Sequence, residues 1–200
     1  MDRLNSDPDS SGGNPGDGNN LSGSFLVASP QLQDPNFAKT VILVSAHSED
    51  DGTLGVVLNR PMGKTLGEFN DAFAFGPLKD IPLYVGGPVS QDRMILAAWK
   101  WNPDKGIFKL FFGIDETKAE TLLREHEDLE LRGFLGYSGW EKGQVEMELE
   151  QHAWIVSPVD AVALDNQDGE KLWKTVVGKT RPSFPGEELL PDQPDDPSLN

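Results

Sequence analysis

Short apolar runs, each fenced by Pro, Gly, Asn, Asp or charged residues, recur through the first half of the chain, and this pattern predicts buried β-strands. Phe25-Leu26-Val27-Ala28, Thr40-Val41-Ile42-Leu43-Val44 and Leu54-Gly55-Val56-Val57-Leu58 are the first three. Asp50-Asp51-Gly52 separates the last two, and an Asp-Gly pair between apolar runs is a hairpin signal, so residues 40–46 and 54–60 are expected to pair antiparallel. Pro61 is expected to close that strand. Leu83-Tyr84-Val85, Met94 to Trp99 and Ile107 to Phe112 continue the pattern, with a tight turn over Asn102-Pro103-Asp104-Lys105-Gly106.

The period changes twice. From Thr117 to Leu129 the apolar positions Ala119, Leu122, Leu123 and Leu129 fall at helical spacing, with Thr117 and Glu120 in capping-box form. From Asp168 to Val177, Leu172, Trp173, Val176 and Val177 share one helical face, and Gly178 is expected to end that helix. Residues 143–150 fit either period, and their Glu, Met and Leu content favours helix. The sum is an α+β chain built on mixed, mostly antiparallel β-sheets with a few flanking helices.

Both ends lack such patterns. Residues 5–20 hold only Asn, Ser, Asp, Pro, Gly and their like, so the segment 1–20 is expected to be disordered, because it cannot bury enough apolar area to offset its ordering entropy. Residues 181–200 alternate prolines with acids and form an acidic, Pro-rich tail. A single domain is expected between them, over 21–180.

Charge narrows the choice of partner. The whole chain carries −16, and with four acids and one base in 1–20 and five acids and one base in 180–200, the part between keeps −9. Such a surface repels phosphates, so direct nucleic-acid binding is disfavoured and a protein partner or small effector is expected instead. No cysteine is present, which excludes thiolate catalysis and fits a reducing, cytoplasmic location. Neither an export signal nor a membrane span is visible.

Candidate chemistry centres on three places. The run Gly136-Tyr137-Ser138-Gly139-Trp140 leads through Gly143 to Gln144 and Glu146, and sets stacking surface beside an amide and a carboxylate that could act as a base. The alternative is that Trp140 packs structurally and its neighbours cap a helix. Asn59 and Arg60 end a strand, where an arginine either grips an anionic ligand or fixes a loop. Gly86-Gly87-Pro88 forms either a nest of backbone amides or a plain turn.

Other machinery is absent. Ser138 lacks the nucleophile-elbow spacing, and Gly63-Lys64-Thr65 lacks the first glycine of a phosphate loop. His47 with Glu49, Asp50 and Asp51 reads as solvated turn chemistry before it reads as a metal site. His126 reads as a surface or boundary histidine of its helix, and His152 as structural. No metal or cofactor is expected.

Taken in order, Gly23 to Pro30, Asp34-Pro35-x-Phe37, Thr40 to Leu43 with His47, Leu58-Asn59-Arg60-Pro61, Tyr84-Val85-Gly86-Gly87-Pro88-Val89, Gly136 to Trp140 and Gly143-Gln144-Val145-Glu146 resemble the AlgH/YqgE family of bacterial proteins over about residues 22–178. The resemblance implies an α+β domain whose mixed sheets fold into a pseudo-barrel, and a cytosolic address. One branch of the family has a name linked to transcriptional control of exopolysaccharide production, which implies a regulatory role. Ala97 and Ala98 stand where the family often has a histidine, so no role for that histidine carries over. Two functions follow: a non-enzymatic binding or regulatory protein, or a hydrolase with Glu146 as base and Arg60 or backbone amides holding an anion.

Overall fold

The computed structural model of the chain describes residues 20–102, 104–160, 164 and 169–180. The polar segment expected over 1–20 lies outside these except for Asn20, and so does the acidic tail. In chain order the strands are β1 (Ser24–Ala28), β2 (Val41–Ser48), β3 (Gly52–Val57), β4 (Pro61–Thr65), β5 (Pro82–Val85), β6 (Val89–Asn102), β7 (Ile107–Ile114), β8 (Glu130–Trp140) and β9 (Trp154–Pro158). The helices are α1 (Leu66–Phe69), followed by a 3-10 turn over Asp71–Phe73, then α2 (Glu116–Glu125), α3 (Gln144–Glu150) and α4 (Gly169–Thr180).

The hairpin forms as its turn sequence predicts. β2 and β3 pair antiparallel from Ile42 opposite Val57 to Ser48 opposite Gly52, with Ser45 as an extra residue between the Val44 and Ala46 pairs. β1 adds to β2, and β9 to β1, both antiparallel.

The glycine-rich run belongs to β8, which joins two sets of partners. Its first part pairs antiparallel with β6, and parallel with β5 from Leu83 opposite Gly133 to Val85 opposite Leu135. Its last part pairs with β3 through Ser138, Gly139 and Trp140. Gly136, at φ 71°, lies where β8 leaves β5 for β3, a turn of the backbone that a side chain would strain. β7 pairs with β6.

The architecture is therefore α+β with mixed, mostly antiparallel strands. Among the described residues the path β4-β5-β8-β3-β2-β1-β9 has two unpaired ends, so the sheet stays open and branched, and the pseudo-barrel implied by the resemblance is corrected. Side chains alternate along β6 and serve two apolar clusters. Ala97 and Trp99 join Phe25, Leu43, Tyr84, Phe134 and Trp173, whereas Leu96 and Ala98 join Leu66, Leu83, Ala119 and Leu122. Each fully buried Leu or Phe stabilises the fold by roughly 1.5–3 kcal/mol.

Three local expectations change. Pro61 opens β4 instead of closing β3, because its missing N–H costs nothing at the start of an edge strand. α2 is capped by Asp115, whose carboxylate accepts from the Lys118 N–H at 2.7 Å, so the Thr117–Glu120 box is not used, and the helix stops before Leu129. α4 runs through Gly178 to Thr180, whose hydroxyl donates to the Val176 and Val177 carbonyls. Residues 144–150 form α3, as composition favours. Among the described residues no helix is long and apolar enough to cross a membrane.

Candidate functional site

Strand register places His47, Thr53 and Trp140 in one row across β2, β3 and β8, since Thr53 opposes both of the others. Gly143, at φ 74°, turns the chain out of β8 and lets α3 cross to β9, with Val145 fully buried. His47 Nδ1 lies 2.8 Å from Thr53 Oγ1, and Nε2 lies 3.6 Å from Glu146 Oε1. The His47 side chain is 4% exposed and that of Glu146 41%, yet Glu146 Oε2 itself is buried and accepts no hydrogen bond. The exposure of Glu146 thus belongs to the rest of its side chain.

Two residues further along α3, Glu148 is held by three donors. Its Oε2 accepts from Trp140 Nε1 at 2.9 Å and Trp154 Nε1 at 2.7 Å, and its Oε1 accepts from Gln144 Nε2 at 2.8 Å. Gln144 Oε1 in turn accepts from the Glu141 N–H. Phe37 stacks on Trp140 with centroids 6.0 Å apart and meets Trp154 edge-on at 5.5 Å. Buried indole N–H groups need acceptors, and one carboxylate serves both. Tyr137 is half-buried and packs on the larger apolar cluster.

Asn59 and Arg60 lie elsewhere. Asn59 Oδ1 accepts from the Val41 N–H, and its Nδ2 donates to the carbonyls of Lys39 and Gly169, so the amide fastens β2 and α4 to the end of β3. Arg60 donates to the Pro35 carbonyl at 3.1 Å. Burial lowers its pKa from the usual arginine value, with Asp34 opposing that shift. Arg60 and Glu146 form no direct ion pair: they sit past opposite ends of β3, and Glu146 meets His47 instead.

Gly86 and Gly87 run against the backbone of β8. A Cβ on Gly86 would overlap the Gly136 carbonyl oxygen, and one on Gly87 would overlap the Tyr137 carbonyl. The Gly86 carbonyl accepts from the Val57 N–H and from Ser138 Oγ. These glycines admit a neighbouring strand.

Sequence reasoning did not single out Arg132, which is 1% exposed. Its guanidinium lies 4.8 Å from the Tyr84 ring and 5.0 Å from the Trp99 ring, bonds Glu130 Oε1 at 2.8 Å, and donates to the Leu164 carbonyl at 2.8 Å. Burial raises the Tyr84 pKa, Arg132 lowers it, and Glu130 raises it further. An arginine set between Leu131 and Gly133-Phe134 was the available signal. Thr53, Glu148, Trp154 and Phe37 were also missed. Among the described residues no three His, Cys, Asp or Glu side chains gather as a metal site.

These features define a mixed α+β protein with an open branched sheet and a helical crossover tied down by two tryptophans and a glutamate. The profile of the family described as AlgH-like matches residues 25–184, and the chain belongs to that family. It is similar to a UPF0301 protein of Streptomyces coelicolor, 34% identical over 192 residues, covering 90% of this chain and 95% of the relative. A UPF0301 protein of Parabacteroides distasonis is 34% identical over 168 residues, 78% of this chain and 81% of the relative. The solution structure of the AlgH protein of Pseudomonas aeruginosa matches with a TM-score of 0.59 at 30% identity, covering 83% of this chain and 92% of that one. A crystal structure of a Corynebacterium diphtheriae protein shares the fold, with a TM-score of 0.62 at 23% identity over 82% of this chain and 88% of that one.

Proposed function

We propose that this chain is a non-enzymatic binding or regulatory protein of the cytoplasm, acting on transcription indirectly through a protein partner or a small effector. The observation that supports this reading is the internal commitment of the polar atoms under α3. His47 and Thr53 bond to each other and are both buried, and Glu148 is filled by two indoles and an amide. A general base needs an accessible lone pair within reach of a substrate proton, and the Glu148 carboxylate is taken up by protein donors while the His47 side chain is buried.

Glu146 favours a second reading, a small-molecule hydrolase with this carboxylate as base, because its Oε2 has no partner. Initial rates on a panel of esters, amides and phosphoesters, compared with Glu146→Gln, separate the two. The binding reading expects no turnover that the substitution removes; turnover abolished in Glu146→Gln establishes the enzyme. A low-salt mobility-shift titration tests the indirect route, since counterion release favours binding most there. Weak, non-specific shifts are expected, and tight sequence-specific ones contradict it.

A further inference from the structure

Among the described residues, the edge at β7 is the one with neither a proline nor an early end. β4 starts at Pro61 and pairs irregularly, and β9 has five residues ending at Pro158, both familiar ways of blunting an edge. β7 has neither device in its first six residues. Among the described residues it pairs with β6 alone, and its sequence Ile107-Phe108-Lys109-Leu110-Phe111-Phe112-Gly113-Ile114 carries a single charge. Its faces are seated: Phe108, Leu110 and Phe112 pack on one apolar cluster, Phe111 and Ile114 on the other. Yet none of its apolar side chains is fully buried, and Ile107 is 53% exposed, whereas Leu96 to Trp99 on β6 are all buried. Among the described residues the strand has no neighbour along its outer side.

We propose that β7 is the interface of a homodimer, in which two copies continue the sheet by antiparallel β7–β7 pairing centred on Leu110. Self-complementarity selects both occupant and register. With Leu110 opposite Leu110 of the second copy, Phe108 faces Phe112, Ile107 faces Gly113, and Lys109 faces Phe111. Lys109 Nζ already lies 5.0 Å over the Phe111 ring of its own chain, so the pairing extends a contact this strand makes. Centring on Lys109 would oppose two ammonium groups, which disfavours that register. Two such strands meet along about 20–27 Å, six to eight residues at ~3.4 Å each.

The chain has no cysteine, so one introduced thiol reports the register cleanly. Directly opposed residues in an antiparallel pair have Cα atoms about 4.5–5.5 Å apart, within disulfide range. Sedimentation of the unaltered full chain is expected to give twice the 21.9 kDa chain mass as concentration rises. Under mild oxidation Leu110→Cys should cross-link at least about tenfold faster than Ile107→Cys, because pairing raises the local thiol concentration at the former alone. Leu110 also packs inward; if its variant does not fold, an equimolar mixture of Lys109→Cys and Phe111→Cys replaces it, expected to cross-link as a heterodimer while Lys109→Cys alone does not. A chain monomeric up to its solubility limit, or equal cross-linking at Leu110 and Ile107, overturns the proposal.

Discussion

His47 and Thr53 oppose each other across β2 and β3 and share a 2.8 Å hydrogen bond between imidazole Nδ1 and hydroxyl Oγ1, with both side chains buried. Replacing the hydroxyl by a methyl keeps the shape and leaves the ring nitrogen without its partner. Thr53→Val is therefore expected to lose about 1–3 kcal/mol in urea unfolding. A loss under about 0.3 kcal/mol, within the range of neutral surface changes, contradicts the bond's role.

Gly87 and Gly178 should respond in opposite directions. A Cβ at Gly87 meets the backbone of β8, which cannot move aside cheaply, so Gly87→Ala is expected to cost more than about 3 kcal/mol or to prevent folding. At Gly178, inside α4, nothing lies within 4 Å of an added Cβ. Gly178→Ala should stabilise the protein by about 0.5–1 kcal/mol, read as a raised melting temperature.

Arg132 links stability to the titration of Tyr84. Removing it in Arg132→Met leaves Glu130 without its ion partner; since Glu130 is partly exposed, about 2–4 kcal/mol is expected, below the cost of a fully buried pair. Arg132→Lys should not restore full stability, because an ammonium neither stacks on both rings nor forks to its acceptors. The Tyr84 pKa is raised mainly by burial, and Arg132 pulls it down, so Arg132→Met should raise it further. A phenol with a raised folded-state pKa contributes stability below its unfolded pKa of about 10, and that contribution is lost as pH rises through the folded value. Ultraviolet titration of the two tyrosines checks the direction.

The local parts of the fold were legible in the sequence, and the distant ones were not. The β2–β3 hairpin could be read because its turn and its apolar runs are contiguous. β8 was hidden because its glycines, among them Gly136 where the strand changes partners, mask the alternation that marks a strand. Asn59 was visible as a polar strand end, but its three partners come from Lys39, Val41 and Gly169, which no local spacing brings together. Glu146 was read as a base and Glu148 passed over, although two residues on α3 separate a carboxylate with a free oxygen from one that is held by three donors.

The central claim is that Glu148 and the two indoles it binds beneath α3 serve the fold. Equilibrium unfolding of Glu148→Gln tests it most directly. An amide presents one acceptor where the carboxylate presents two, so in either orientation an N–H₂ group faces the indoles or the Gln144 amide. The account predicts a loss of about 2–4 kcal/mol, the scale of charge-assisted hydrogen bonds removed from a partly buried site. A change below about 0.5 kcal/mol, typical of a surface substitution, would contradict it.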